Sequence, residues 1–183
     1  MKVLFQWLAE HGEPIPPMLP LELRDHHDYY LKLNQLILAQ DKKLKEVVDN
    51  DEQAQLLKTI PGVGNLTASR CLSDISSATD FKNGRNFAAW LGLVPRQFST
   101  GGKPTLLGIS KRGNKGLREL FIHGARAVLV RPEKAVAVFG NWILSLLSRK
   151  HFNVVVIALA NKLARIAWSV LSTKQAFEVR VQA

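Results

Sequence analysis

From Leu21 to Lys58 the chain contains no proline or glycine. Within that run large or apolar residues fall at Tyr30, Leu33, Ile37, Leu44 and Val47. The spacings are three, four, seven and three, a heptad seam in which Gln40 occupies the skipped position. The pattern predicts one long helix over 21–58, acting as a helical hairpin arm or as a coiled coil joining two copies. An ordinary amphipathic helix lying on the domain is the competing reading. Upstream, residues 1–12 suit a short helix and Pro14–Pro20 a rigid extended connector, so 1–20 read as a linker. Downstream, helical patterns recur over Arg85–Leu91, with Phe87, Ala88 and Trp90 inward, and over Asn114–Val130, stopped by Pro132. Two more follow, Lys134–Ser148 and Asn153–Ser172, before a tail from Thr173 that is expected to fray. Asp74–Gly84 is turn-rich. Phe98–Ile109 reads as a loop or short hairpin in which Gly101 and Gly102 permit unusual backbone angles. The fold class is mostly α: a long helical arm, then a compact helical domain over 59–183.

The segment 56–72 has its own grammar. One helix ends at Ile60, Pro61-Gly62-Val63-Gly64 forms a tight turn, and a second helix starts near Asn65. Ala68 is small enough to let the two helices approach. This resembles a helix-hairpin-helix motif, whose free backbone N–H groups can hold a phosphate without reading sequence. On that reading Gly62 and Gly64 are nucleic-acid-binding positions. A plain helix-turn-helix corner is the alternative.

Composition sharpens this. The 183 residues are 46% hydrophobic and 22% charged, a folded chain and not a disordered one. The net charge of +10 is unevenly placed. Residues 1–81 carry 8 basic and 12 acidic groups, net −4; residues 82–131 carry 10 basic groups and only Glu119 against them, net +9; residues 132–183 add +5. A field concentrated in this way points to a polyanion, most simply nucleic acid, although a solvated basic surface has the same composition. Cys71 is the only cysteine, and the five histidines show no metal-ligand spacing, so no metal site is expected. The apolar run Val154–Leu171 is interrupted by Asn161, Lys162 and Arg165, which favours a buried helix over a membrane span. With no signal peptide in view, the expected setting is reducing and cytoplasmic, with no membrane partner.

The basic stretch contains the candidate chemistry. Ser99-Thr100 stands at the lip of a glycine turn among Arg96, Lys103, Lys111, Arg112, Lys115 and Arg118. A hydroxyl in a cationic cradle suits attack on a phosphodiester, because the cations hold the phosphate and stabilise its growing charge. Arg96 and Arg118 are the candidates for favouring the alkoxide. If the helix here begins early, Lys111, Lys115 and Arg118 share one face. Ser110 reads best as that helix's N-cap. Gly113 and Gly116 read as points where a backbone can approach nucleic acid. No local His or Asp base is present to build a hydrolase triad.

Taken in order, Ile60-Pro-Gly-Val-Gly64, Phe87-Ala-Ala-Trp-Leu-Gly-Leu-Val-Pro-Arg-Gln97, Ser99-Thr-Gly-Gly-Lys103, Gly108-Ile-Ser-Lys-Arg-Gly113 and Leu117-Arg118 resemble the C-terminal domain of insertion-sequence-110-type transposases. The Ser-Thr-Gly-Gly-Lys form is similar to the subgroup typified by insertion sequence 1111. His123-Gly-Ala-Arg-Ala127 and Ala158–Trp168 fit as well, so the resemblance covers nearly the whole chain. It implies a DNA recombinase guided by a structured bridge RNA, with a catalytic serine that links covalently to the cut strand. The motif carries that role to Ser99, with Thr100 the alternative register. It also implies an N-terminal RuvC-like domain whose acidic residues complete the site with magnesium. This chain shows no such carboxylate set and is expected to be a truncated form, without a cofactor of its own and inactive in recombination alone. Other readings stand beside it: a non-enzymatic nucleic-acid-binding module built on the hairpin and basic face, or a helical interaction protein dimerising through 21–58.

Overall fold

The computed structural model describes residues 6–7, 10, 18–100 and 103–179. Among them are eight α-helices, one short 3-10 turn and one two-stranded antiparallel sheet, so the chain is mostly helical. It divides into two compact units, residues 1–45 and 46–183. Of the short helix expected over 1–12, Gln6, Trp7 and Glu10 are helical and the rest lies outside the described residues.

Helix α1 spans Met18–Asp49. It begins inside the expected connector, because Pro20 sits in a first turn whose N–H groups have no intrahelical partner in any case. The single helix expected over 21–58 is broken. Asp51 takes an extended conformation and its carboxylate accepts from the Ala54 N–H at 2.8 Å, capping a separate helix α2, Glu52–Lys58. Across the break, Gln55 donates to the Val48 carbonyl at 2.9 Å and Lys58 pairs with Asp49 at 3.0 Å. In the single chain Tyr30, Leu33, Ile37 and Val47 of the heptad seam are exposed, and burial on α1 begins at Val48.

The second unit is assembled around α8, Phe152–Thr173. Val155, Val156, Leu159, Ala160, Leu163, Ala164, Ala167 and Val170 of α8 are buried. The recurrence every three or four residues marks a wide apolar stripe. This helix is long and apolar enough to cross a membrane by length and composition, and here it is the central core helix. Against it pack α4, Gly84–Trp90, and α5, Lys115–Leu129. Phe81, Phe87, Trp90 and Phe121 form an aromatic cluster with ring centroids 5.1–6.4 Å apart.

Helix α3, Asn65–Asp74, follows the Pro61–Gly64 turn as expected, and α2 ends at Lys58. The turn packs onto α5. Gly62 has φ +85°, and a Cβ on it would stand 2.7 Å from the Gly124 carbonyl oxygen; a Cβ on Gly124 would overlap the Gly62 oxygen in return. The glycine pair is thus what lets the turn and α5 meet backbone to backbone. The helix expected over Lys134–Ser148 is two helices, α6 (Pro132–Phe139) and α7 (Asn141–Leu147), separated by Gly140. The tail does not fray at once: after α8, the Phe177 N–H donates to Thr59 Oγ1 at 2.8 Å, tying the chain end to the end of α2.

Candidate nucleic-acid interface

Strand β1, Pro95–Thr100, and strand β2, Lys103–Ile109, form the sheet, an antiparallel hairpin with Ser99 opposite Pro104 and Thr100 opposite Lys103. The expected hairpin is present, and its Gly101-Gly102 tip lies outside the described residues. Between Pro95 and Gln97 the register shifts: Leu107 and Gly108 stand against Arg96 alone, an extra residue on β2 of the kind that bends a strand. Pro95–Phe98 and Thr105–Gly108 are all exposed or partly so.

The expected ring of cations resolves into two groups. Arg96 and Lys103 lie on the hairpin with the hydroxyl pair. Lys111, Arg112 and Lys115 are exposed at its root, beside the start of α5. From Pro95 to Ser99 is four residues, roughly 13 Å at about 3.3 Å per residue, so the root group is a separate patch along the same strand direction. Glu119, exposed, approaches Lys115 at 3.9 Å.

Two local expectations are corrected. The helix does not begin early: Asn114 is the N-cap, accepting from the Leu117 N–H at 3.0 Å, and Ser110 instead accepts from the Arg112 N–H at 3.5 Å in the preceding turn. Lys111, at φ 57°, therefore lies outside the helix and shares no helical face with Lys115 and Arg118. The Asn114 amide also donates to Asp74 at 2.6 Å, and Asp74 pairs with Arg70 at 2.6 Å, so the C-terminus of α3 is locked to the start of α5. Spacing along the chain gives no sign of this trio, because Asp74 and Asn114 are 40 residues apart.

Arg118 is the second correction. It is 7% exposed, and its Nη1 donates to the Leu91 carbonyl at 2.9 Å and the Arg112 carbonyl at 3.2 Å. The guanidinium is turned into the fold and not toward a solvent-borne phosphate. A signal was available: Arg118 falls on the buried stripe Leu117, Phe121, Gly124, Ala125 of α5. Gly113 likewise faces the Trp90 carbonyl, so its close approach is to protein backbone. Gly116 lies beside Arg70. Gly64, N-terminal to α3, has open space where a side chain would be, while Gly62 is occupied by its contact with Gly124.

Beside the root a groove of about 1270 Å³ runs between the hairpin and α8. Leu107, Ile109, Trp142, Val154 and Ile157 line it, with Arg85, Lys162 and Arg165 as its charged groups. The Lys162 ammonium stands 4.6 Å from the Trp142 ring centroid, and burial with the neighbouring Arg165 charge lowers its pKa. Among the described residues no three His, Cys, Asp or Glu side chains are gathered to hold a metal ion.

Comparison with known proteins fits this arrangement. A model of the Transposase IS116/IS110/IS902 family matches residues 54–139, which run from α2 through the hairpin to α6. The chain is 45% identical over 163 residues to the transposase for insertion sequence element IS1328 of Yersinia enterocolitica, covering 89% of this chain and 49% of that protein. It is 37% identical over 170 residues to the transposase for insertion sequence element IS1111A of Coxiella burnetii, covering 93% and 47%. The pilin gene-inverting protein of Moraxella bovis is 30% identical over 136 residues, 72% of this chain and 40% of that protein. The chain spans about half the length of the first two relatives. Matched in order through both the helical core and the hairpin, the chain belongs to the IS116/IS110/IS902 family of transposases.

Proposed function

We propose that this chain serves DNA transposition or recombination by presenting Ser99 as the nucleophile for strand cleavage. The observation that carries the reading is the hairpin: Ser99 and Thr100 lie on β1 with Arg96, paired to Pro104 and Lys103 of β2, Pro95–Phe98 and Thr105–Gly108 are exposed, and a second basic patch stands at the root. The root patch binds the backbone of the DNA, and the hairpin meets the scissile phosphate. Ser99 Oγ forms a bond to phosphorus, the bond from phosphorus to the leaving deoxyribose oxygen breaks, and that oxygen takes up a proton. The serine proton passes to solvent or a base outside this chain. Joining reverses the step with a new deoxyribose hydroxyl. With Arg118 turned into the fold, Arg96 is the arginine that favours the alkoxide. The named relatives include both transposases and a pilin gene-inverting protein, and this cleavage chemistry serves insertion and inversion alike.

Target choice belongs on this reading to a structured guide RNA, with the basic surface contributing sequence-independent affinity. The open N-terminus of α3 at Gly64 is a further phosphate contact of that kind. The non-enzymatic alternative keeps the binding and drops the chemistry. A transposase assembled from this chain and the remaining half of the Yersinia enterocolitica relative separates them. With Ser99→Ala, no protein–DNA adduct should survive denaturation, while Thr100→Ala retains it. Adduct from Ser99→Ala and none from Thr100→Ala moves the nucleophile to Thr100; none from the parent leaves the binding module.

A further inference from the structure

The hairpin carrying Ser99 is joined to the helical unit through a root that is cross-tied from both sides. Past the end of the sheet, the Ser110 N–H donates to the Val94 carbonyl at 2.8 Å and the Lys111 N–H to the Gly92 carbonyl at 3.2 Å. Asn161 of α8 donates to the Leu93 carbonyl at 3.2 Å. Gly92, at φ +71°, and Gly113, at φ +79°, bring the entering and leaving segments against each other and against the end of α4. The Arg118 side chain bridges both segments: one guanidinium nitrogen holds the Leu91 carbonyl on the way in and the Arg112 carbonyl on the way out. Beyond the root, Phe98 and the side chains from Thr105 to Gly108 are exposed, and the ties that join the hairpin to α4, α5 and α8 lie at its base.

We infer that Arg118 is a positioning residue: anchored in α5, its guanidinium fixes the angle at which the hairpin leaves the unit, and thereby where Ser99 stands. The role in strand cleavage rests on the reading of Ser99 as nucleophile; the mechanical role does not. The lever is long. Over roughly 13 Å of strand, a tilt of about 5° at the root moves Ser99 by about 1 Å, and a misplacement of that size costs on the order of a hundredfold in rate. Lysine is a poor substitute, because its ammonium sits on a flexible stem and lacks the planar guanidinium that fixes the directions of the two Nη1 hydrogen bonds.

The test reads geometry first, on this chain. Nitroxide labels are placed at Thr105→Cys on β2 and Ser172→Cys on α8, both exposed, while native Cys71 is buried and takes no label. The parent should give one narrow label-to-label distance distribution. Arg118→Met should broaden it or shift it by more than about 2 Å, and Arg118→Lys should do so to a lesser degree, both with helical circular dichroism unchanged. An unaltered distribution in folded Arg118→Met overturns the inference; should Arg118→Met fail to fold, an unaltered distribution in Arg118→Lys does the same. In the assembled transposase, Arg118→Lys should reduce adduct formation about a hundredfold with DNA affinity within about twofold of the parent. Full adduct formation despite a displaced hairpin overturns the catalytic half of the proposal. Adduct surviving Ser99→Ala would instead retire the Ser99 reading, and the label distances would still decide the clamp.

Discussion

Cys71 lies on the buried face of α3, and burial, reinforced by the negative charge of Asp74, pushes its thiol up to about 12 from 9.0. A thiol so placed stays protonated when the chain is folded and ionises near 9 when it is unfolded. The stability that this group contributes is therefore fully present below about pH 9 and is lost as pH rises through the window toward 12. Denaturant melts at pH 8 and pH 10 should differ in the parent and differ less in Cys71→Ala. In native protein at pH 8 a thiol reagent should leave Cys71 unmodified. Gly124 makes a second residue-level case. Alanine is the better helix former by up to about 1 kcal/mol, but its Cβ would overlap the Gly62 carbonyl oxygen, which is rigid backbone in a turn. Overpacking of this kind typically costs about 1–3 kcal/mol, so Gly124→Ala should lower the melting temperature despite its propensity.

Elements here are set by their ends. Asp51 and Asn114 each cap a helix with a short carboxylate or amide oxygen; Asp51 breaks the single helix that hydrophobic spacing alone suggests over 21–58, and Asn114 fixes the start of α5. The same end effect places Lys111 and Arg112 in a turn ahead of α5, with Lys115 at its first residue, so the basic patch is a root cluster and not a helix stripe. Its proposed partner is the phosphate backbone. Changing Lys111, Arg112 and Lys115 together to alanine should weaken binding of this chain to duplex DNA irrespective of sequence. The slope of log affinity against log salt should flatten by about 0.9 for each phosphate that the variant no longer neutralises. Fluorescence anisotropy titrations from low to moderate salt measure this; a slope equal to the parent's would remove these residues from the interface. The heptad pattern is legible on α1, yet Tyr30, Leu33 and Ile37 are exposed in the single chain, because a seam is completed only by a second helix. If two copies supply it, sedimentation should show a concentration-dependent dimer that Leu33→Asp with Ile37→Asp abolishes.

At the scale of the molecule, residues 1–45 carry six basic and six acidic groups, so the chain's net +10 lies wholly on the second unit, 46–183, where an acidic stretch over 46–81 precedes the basic 82–183. Within the basic domain α8 holds the core, and the hairpin is attached where α4, α5 and α8 meet its root. The candidate hydroxyls are therefore carried on a two-stranded extension whose Pro95–Phe98 and Thr105–Gly108 are exposed, an arrangement suited to reaching a phosphate that lies outside the fold.

What the sequence determined by itself was local. Periodicity of about 3.6 residues marked α5 and α8, proline and glycine marked the turns at 61–64 and 92–95, and the order of motifs identified the family. The hydroxyl pair and the cations near it could be named as candidates because charge and turn chemistry are written in neighbouring residues. Tertiary structure decided the rest. Arg118 reads as one more cation in a basic run, and only the meeting of Leu91, Arg112 and α5 makes it a buried clamp. Gly62 reads as a phosphate-facing glycine, and only Gly124, far along the chain, makes it a packing contact. The physical reason is the same in both cases. A side chain's charge or a glycine's freedom is a property of one residue, but the group that satisfies it is supplied by a segment the chain brings back through folding.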